Sequence, residues 1–208
     1  MSFTASLARA DAATMADGGV PPLAVQEWVL RDGVRLAVRP ATTADGPALR
    51  AFVDGLSRES RYFRYLTGGR VAEPVLESFL ASATDGGVAM LVLVDTDQGE
   101  RIVANGQYVV NQDTAEFAVA VDDDWQGKGL GRRLIGKLRE LARSAGLHRM
   151  RGDVLSENRR MLALLRDCGF HLRRNPEDSM LHLVEVALDR AEESGGARAP
   201  AAGPSLSR

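Results

Sequence analysis

The sequence predicts an α/β domain: one mixed, mostly antiparallel sheet flanked by helices. Three observations point there. Mid-chain, "VAMLVLV", "RIVANGQYVV" and "AEFAVAV" follow one another through the turn-rich links "DTDQGE" and "NQDT", the signature of an antiparallel meander. Segments on either side repeat their apolar residues at helical spacing. The chain then runs helix, strand, helix, strand, an order that a purely antiparallel sheet does not produce.

The elements follow in order. "GVRLAVRP" alternates Val34, Leu36 and Val38 with polar or small neighbours and stops at Pro40, a strand. Thr43 or Asp45 is placed to cap a helix with Pro47 in its first turn and Leu49, Phe52, Val53 and Leu56 on one face. "SRESRYFRYL" predicts a short second helix and "EPVLESFLAS" a third. After the meander, Leu134, Ile135, Leu138, Leu141, Ala142 and Ala145 recur at helical spacing up to Gly146, a C-terminal stop. "HRMRGDVL" reads as a strand, "ENRRMLALLRDC" as a helix closed by Gly169, and "MLHLVEVAL" as a late strand. Residues 1–24 and 190–208, rich in Ala, Gly, Ser and Pro, read as flexible tails around a single domain over 25–189. No internal repeat is evident.

Composition excludes several classes. With 45% apolar and 26% charged residues the chain has a globular balance, and no apolar run reaches membrane-spanning length. Asp11 and Asp17 interrupt an N-terminal segment without a sustained apolar core, which argues against a secretory signal. The single cysteine, Cys168, forbids an internal disulfide and fits a reducing compartment, so a cytoplasmic location is expected. His148, His171 and His182 lack metal-ligand spacing, and no metal is expected. Basic helices without aromatic interleaving do not suggest nucleic acid. The net charge of −2 hides an asymmetry: 13 Lys and Arg against 4 Asp and Glu between Trp125 and Arg174. A basic segment attracts an anionic ligand, and acidic surface elsewhere favours a cationic one.

The segment "WQGKGLGRRL" sets Gly127, Gly129 and Gly131 where a helix begins. Glycine there costs conformational entropy, and the return is backbone N–H groups that approach an anion at a helix N-terminus. It is neither the nucleotide P-loop nor the dinucleotide fingerprint, whose last glycine would fall on Arg132. Gln126-Gly127-Lys128-Gly129-Leu130-Gly131, a Q-x-x-G-x-G pattern between strand and helix, resembles the acyl-CoA-binding signature of the GCN5-related N-acetyltransferases (GNAT). Together with "RDGVRLAVRPATTADGPALRAFVDGLSRESRYFRYL", "AEFAVAVDDDWQGKGLGRRLIGKL" and "LSENRRMLALLRDCGF", it is similar to the acetyltransferase domains of bacterial Pat-type protein lysine acetyltransferases from about Leu30 to Leu188.

That resemblance implies a GNAT fold and acetyl-CoA as cosubstrate. It also implies an N-acetylated amine as product, a lysine on a protein such as an acyl-CoA synthetase. Backbone amides from Gln126 to Arg132 would hold the pyrophosphate, with Lys128, Arg132 and Arg133 adding positive potential and Lys137 read as a solvated helix charge. Val119 and Val121 on the preceding strand would engage the pantetheine arm, and an amide there would polarise the thioester carbonyl.

An amine must be neutral to attack a thioester, and a lysine amine has an ordinary pKa of about 10.4. A general base therefore helps. Glu116 is the candidate: strand alternation puts it with Ala118 and Ala120 on one face and Phe117, Val119 and Val121 on the other, leaving room for a ligand beside the carboxylate. Pat-type enzymes carry their catalytic glutamate at the matching position; a solvated strand glutamate is the alternative. Asn158 opens a helix as a cap and matches a superfamily asparagine near pantetheine. Seven residues later, where many members place a thiolate-protonating tyrosine, stands Leu165. Solvent or another group then protonates the sulfur, or the thiolate leaves unassisted. Cys168 reads as a packed small side chain. Arg61, Tyr62, Arg64 and Tyr65 either line the acceptor mouth or clamp the second helix to the sheet.

The expected function is direct acetyl transfer from acetyl-CoA to lysine of a protein substrate. A small-amine acetyltransferase and a noncatalytic acyl-CoA-binding module are the alternatives. The sequence leaves the oligomeric state open.

Overall fold

The computed structural model describes residues 24–82 and 86–188. The tails expected over 1–24 and 190–208 lie outside them, apart from Ala24. The chain runs β1 (Gln26–Val29), β2 (Arg35–Pro40), α1 (Gly46–Gly55), α2 (Arg58–Tyr65), α3 (Glu73–Ala81), β3 (Val88–Thr96), β4 (Gly99–Asn111), β5 (Thr114–Val121), α4 (Leu130–Ser144), β6 (Arg149–Leu155), α5 (Arg159–Asp167), β7 (His171–Arg174) and β8 (Leu181–Ala187). Eight strands form one sheet in the order β1-β2-β3-β4-β5-β6-β8-β7. Every neighbouring pair is antiparallel except β5 and β6. The mixed, mostly antiparallel sheet flanked by helices is the one the sequence predicts.

Helices cover both faces of the sheet at β3, which is why it reads as an unbroken apolar run rather than an alternation. Val88, Met90 and Val92 join the core that α4 and α5 seal, while Ala89, Leu91 and Leu93 join the core under α1 and α3. Helix α4 buries Leu130, Leu134, Ile135, Leu138, Leu141 and Ala142, and Gly146 at φ 76° ends it. Each large side chain so buried contributes about 1.5–3 kcal/mol. Gly106 on β4 lets this helix sit close: a Cβ there would meet Leu138 Cδ1 at 3.2 Å and Leu134 Cδ2 at 3.3 Å.

Two edge strands, β1 and β7, were not expected. Each has only four residues, with no apolar face of its own, and exists through pairing with β2 and β8 respectively. Asp45 precedes α1 as expected, but its carboxylate does not cap that helix. It accepts Arg39 Nη1 and Nη2 at 2.8 and 2.7 Å, and the Thr42 N–H and hydroxyl at 2.7 and 2.9 Å, locking the end of β2 to the start of α1.

One irregularity shapes the molecule. The parallel ladder between β5 and β6 lasts three pairs, Thr114 with Arg149, Ala115 with Met150 and Glu116 with Arg151. At the next step Phe117 lies against Gly152, where a Cβ would meet Phe117 Cε1 at 3.1 Å and Phe117 O at 3.3 Å. Beyond that point the strands part.

Candidate active site

The parted strands open a cleft of about 570 Å³, walled by Phe117–Val121 of β5 on one side and Gly152–Val154 of β6 on the other. Leu165 and Asn158 of α5 and the glycine turn complete it. Over Phe117–Val121 the β5 edge has no β6 partner, so backbone groups that would have bonded β6 face the cleft.

The glycine turn is built for an anion. Gly127 and Gly129 take left-handed conformations, φ 79° and 88°, which only glycine adopts without strain, and Gly129 is the N-cap of α4. As a result the N–H groups of Gly127, Lys128, Gly129, Leu130, Gly131 and Arg132 make no hydrogen bond to the described residues. The first helical carbonyl–amide bond there is Arg133 N–H to Gly129 O, at 3.1 Å. Six consecutive free amides at a helix N-terminus match a pyrophosphate in charge and hydrogen-bonding capacity.

Gln126 is the keystone of this turn rather than a free ligand group. Its Nε2 donates to Val121 O and Ser60 Oγ, both at 3.2 Å, and its Oε1 accepts Arg160 Nη1 at 2.6 Å. Asp123 beside it accepts the Ser57 N–H at 2.8 Å, the Ser57 hydroxyl at 2.9 Å and the Ser60 hydroxyl at 2.7 Å, tying α2 to the turn. Burial works against the charge, but these bonds outweigh it and hold the Asp123 carboxyl below its ordinary value.

The predicted cations separate. Arg132 lines the cleft and pairs with Asp167 at 3.1 Å. Lys128 lies over the Trp125 ring at 4.6 Å. Arg133 points elsewhere, donating to Val29 O at 2.9 Å above the Trp28 ring. Lys137, expected to be solvated, pairs with Glu140 at 2.9 Å. Arg160 was not anticipated: its sequence neighbours suggest only a charged helix face, and its approach to Gln126 spans 34 residues.

Glu116 is the last β5 residue in register with β6, one step before the cleft wall begins. Asn111 Nδ2 donates to its Oε1 at 3.1 Å. Cross-strand register places Val109, Glu116, Arg151, Glu185 and His171 in one row on one face of β4, β5, β6, β8 and β7. On that face Arg149, Asp153, His171 and Arg173 are exposed, and Val109 keeps 38% of its surface, so the sheet beside Glu116 is open and polar. Val119 and Val121 line the cleft. Asn158 lines it too, while its Oδ1 caps α5 by accepting the Met161 N–H at 3.1 Å. Leu165 is fully buried in the core, so no hydroxyl stands at that point of α5.

Of the aromatic–basic segment, Arg61 is a clamp, donating from Nη1 to Asp54 O and Leu56 O. Arg64 instead lines the cleft. Burial pushes the Cys168 thiol up, away from reactivity. No helix among the described residues is long and apolar enough to cross a membrane.

Residues 57–170 match the acetyltransferase (GNAT) family model. Acetyltransferase PA5475 of Pseudomonas aeruginosa is 32% identical over 166 residues, covering 77% of this chain and 89% of that protein. The GNAT domain of S. lividans PAT superposes with a TM-score of 0.70 at 26% identity, covering 78% of this chain and 96% of that one. At 21% identity and a TM-score of 0.59, the acetyltransferase yncA from Salmonella typhimurium, solved with its cofactor acetyl-CoA, has the same fold; 76% of this chain and 96% of that one are covered. With the free amides of the glycine turn at the end of an open β5–β6 cleft, the chain belongs to the GNAT family of acetyltransferases, and acetyl-CoA is its cosubstrate.

Proposed function

We propose that this acetyltransferase modifies lysine side chains of protein substrates, acyl-CoA synthetases among them, with Glu116 as general base. Acetyl-CoA supplies the acetyl group as an activated thioester. The amides of Gly127–Arg132 hold its pyrophosphate, assisted by Arg132 and Lys128. Val119, Val121 and the unpaired β5 edge receive the pantetheine arm, next to Asn158. Glu116 takes the ammonium proton, and the bond from Asn111 orients the carboxylate.

The observation that carries this reading is the site of Glu116. It stands where the cleft wall begins, on a sheet face that carries exposed polar side chains across β6 and β7, the surface proposed to meet a protein acceptor. The 26% identity to the S. lividans PAT domain over most of both chains supports it. A small-amine acceptor is the second reading: the L-amino acid N-acyltransferase MnaT of Escherichia coli is 44% identical, but over 57 residues, 27% of this chain.

Thiol release from acetyl-CoA, with an acyl-CoA synthetase as acceptor beside a panel of small amines, tests the proposal. Mass spectrometry locates the acetyl group. Wild type acetylates a synthetase lysine, and Glu116→Gln loses turnover by about 100-fold or more with acetyl-CoA affinity retained. Unchanged turnover in the variant removes Glu116 from the chemistry. Turnover confined to small amines replaces the protein acceptor.

A further inference from the structure

Four arginines line the cleft: Arg64, Arg132, Arg159 and Arg160. Arg132 is paired with Asp167, Arg160 with Gln126, and Arg159 is exposed. Arg64 is different. Its Nε is buried without a hydrogen-bond partner, and among the described residues its guanidinium meets no carboxylate. Its guanidinium carbon lies 4.7 Å from the centre of the Tyr65 ring. Burial pushes its pKa down, opposed only by the Tyr65 phenol.

The surroundings repeat the pattern. Arg64 follows Ser60 by one turn of α2, and Ser60 is fixed to Gln126 and Asp123, so Arg64 lies along β5 away from the glycine turn. Below it the cleft wall is the small pair Ala118 and Ala120. Their cross-strand partners are Gln107 and Asn105. Gly106 between those two faces α4, so Asn105 and Gln107 face the α1–α3 layer that includes Arg64. Gln107 Oε1 and both amide atoms of Asn105 are buried without a hydrogen bond of normal geometry; Asn105 reaches only near the Tyr65 phenol. A half-buried guanidinium whose Nε has no partner and which meets no anion among the described residues is costly in a folded chain unless a ligand or water completes it. The fork of a guanidinium matches a carboxylate, two donors to two oxygens. On the proposed function, the pyrophosphate of acetyl-CoA takes its donors from the glycine turn.

We propose that Arg64 is the receptor for a carboxylate carried by the acceptor, so that the enzyme selects amines bearing a nearby carboxylate. The inference rests on acetyl transfer in this cleft but not on Glu116. The carboxylate comes either from a free amino acid or from an acidic residue beside a protein lysine.

The test compares acceptors that differ only in that group: L-amino acids against their carboxamides, and lysine peptides flanked by Glu against the same peptides flanked by Gln. In one arm or the other, wild type prefers the carboxylate by about 30-fold or more in kcat/KM. Arg64→Gln erases that preference, mainly through KM, while the neutral acceptor and the acetyl-CoA Kd stay within a few-fold. Arg64→Lys keeps part of it. Preference in the amino-acid arm assigns a small acceptor, and preference in the peptide arm a protein one. Calorimetric titration of CoA-loaded enzyme with the N-acetylated acids and amides repeats the comparison without turnover, and Glu116→Gln leaves its outcome unchanged. Equal handling of acid and amide in both arms and in the titration overturns the proposal, as does an equal loss on both in Arg64→Gln.

Discussion

Single residues decide where this chain departs from ordinary secondary structure. Gly129 at φ 88° has open space where a Cβ would go, so Gly129→Ala meets backbone strain alone, about 1–2 kcal/mol. That strain falls on the turn holding the six free amides. Acetyl-CoA affinity measured by calorimetry drops about tenfold or more, whereas an unchanged Kd would detach the turn from cosubstrate binding. Gly152→Val acts differently: its Cβ would sit 3.1 Å from Phe117 Cε1, in a packed ring pair with Phe170 at 5.4 Å. Overpacking of this kind costs about 1–3 kcal/mol, seen as a lower denaturation midpoint, at the point where β5 and β6 part.

Between elements, the joint of β2 and α1 carries the sharpest electrostatics. Arg39 and Asp45 are both largely buried, their side chains 22% and 10% exposed, and the pair is bidentate. Burial alone would raise the Asp45 carboxyl, but Arg39 and Thr42 outweigh it and hold it below its ordinary 3.8. A lowered native pKa stabilises the fold above the unfolded value and loses that contribution as pH falls through the native one. Asp45→Asn therefore costs about 2–3 kcal/mol at pH 7. Urea melts of wild type and variant should keep that gap down to the ordinary carboxylate range and converge at lower pH. A gap independent of pH would mean the loss is packing rather than charge. The second joint, Asp123 with Ser57 and Ser60, fixes α2, and with it Arg64, against the glycine turn.

At the scale of the molecule, the proposed binding mode has acetyl-CoA add contacts among β5, the glycine turn and α5, which surround the cleft. Binding to the native state alone stabilises by about 2.7 kcal/mol at a hundred times Kd. In a domain of this size that raises Tm by about 5–10 °C. Thermal melts with and without acetyl-CoA check it, and Gly129→Val should abolish most of the increment while lowering the ligand-free Tm only modestly.

Local pattern alone determined much of this protein. The alternation of β2 and β5, the helical spacing of α4 and the glycines before it are short-range properties of backbone sterics and apolar periodicity, and they mark the strand–turn–helix without tertiary information. The strand faces of Glu116, Val119 and Val121 and the cap position of Asn158 were legible for the same reason: each place follows from its neighbours. What only the tertiary structure decided rests on which partners the fold brings together. Strands β1 and β7 depend on partners for their existence, and Asp45 turned from cap to ion pair because Arg39 came within reach. Arg133, expected at the cosubstrate, was drawn to β1 across 104 residues, and Arg160 took the place beside Gln126. Arg61 and Arg64, three residues apart and alike in sequence, became a clamp and an unpaired charge in the cleft. A long charged side chain reaches whatever acceptor the fold brings near it, and no local pattern encodes which acceptor that is.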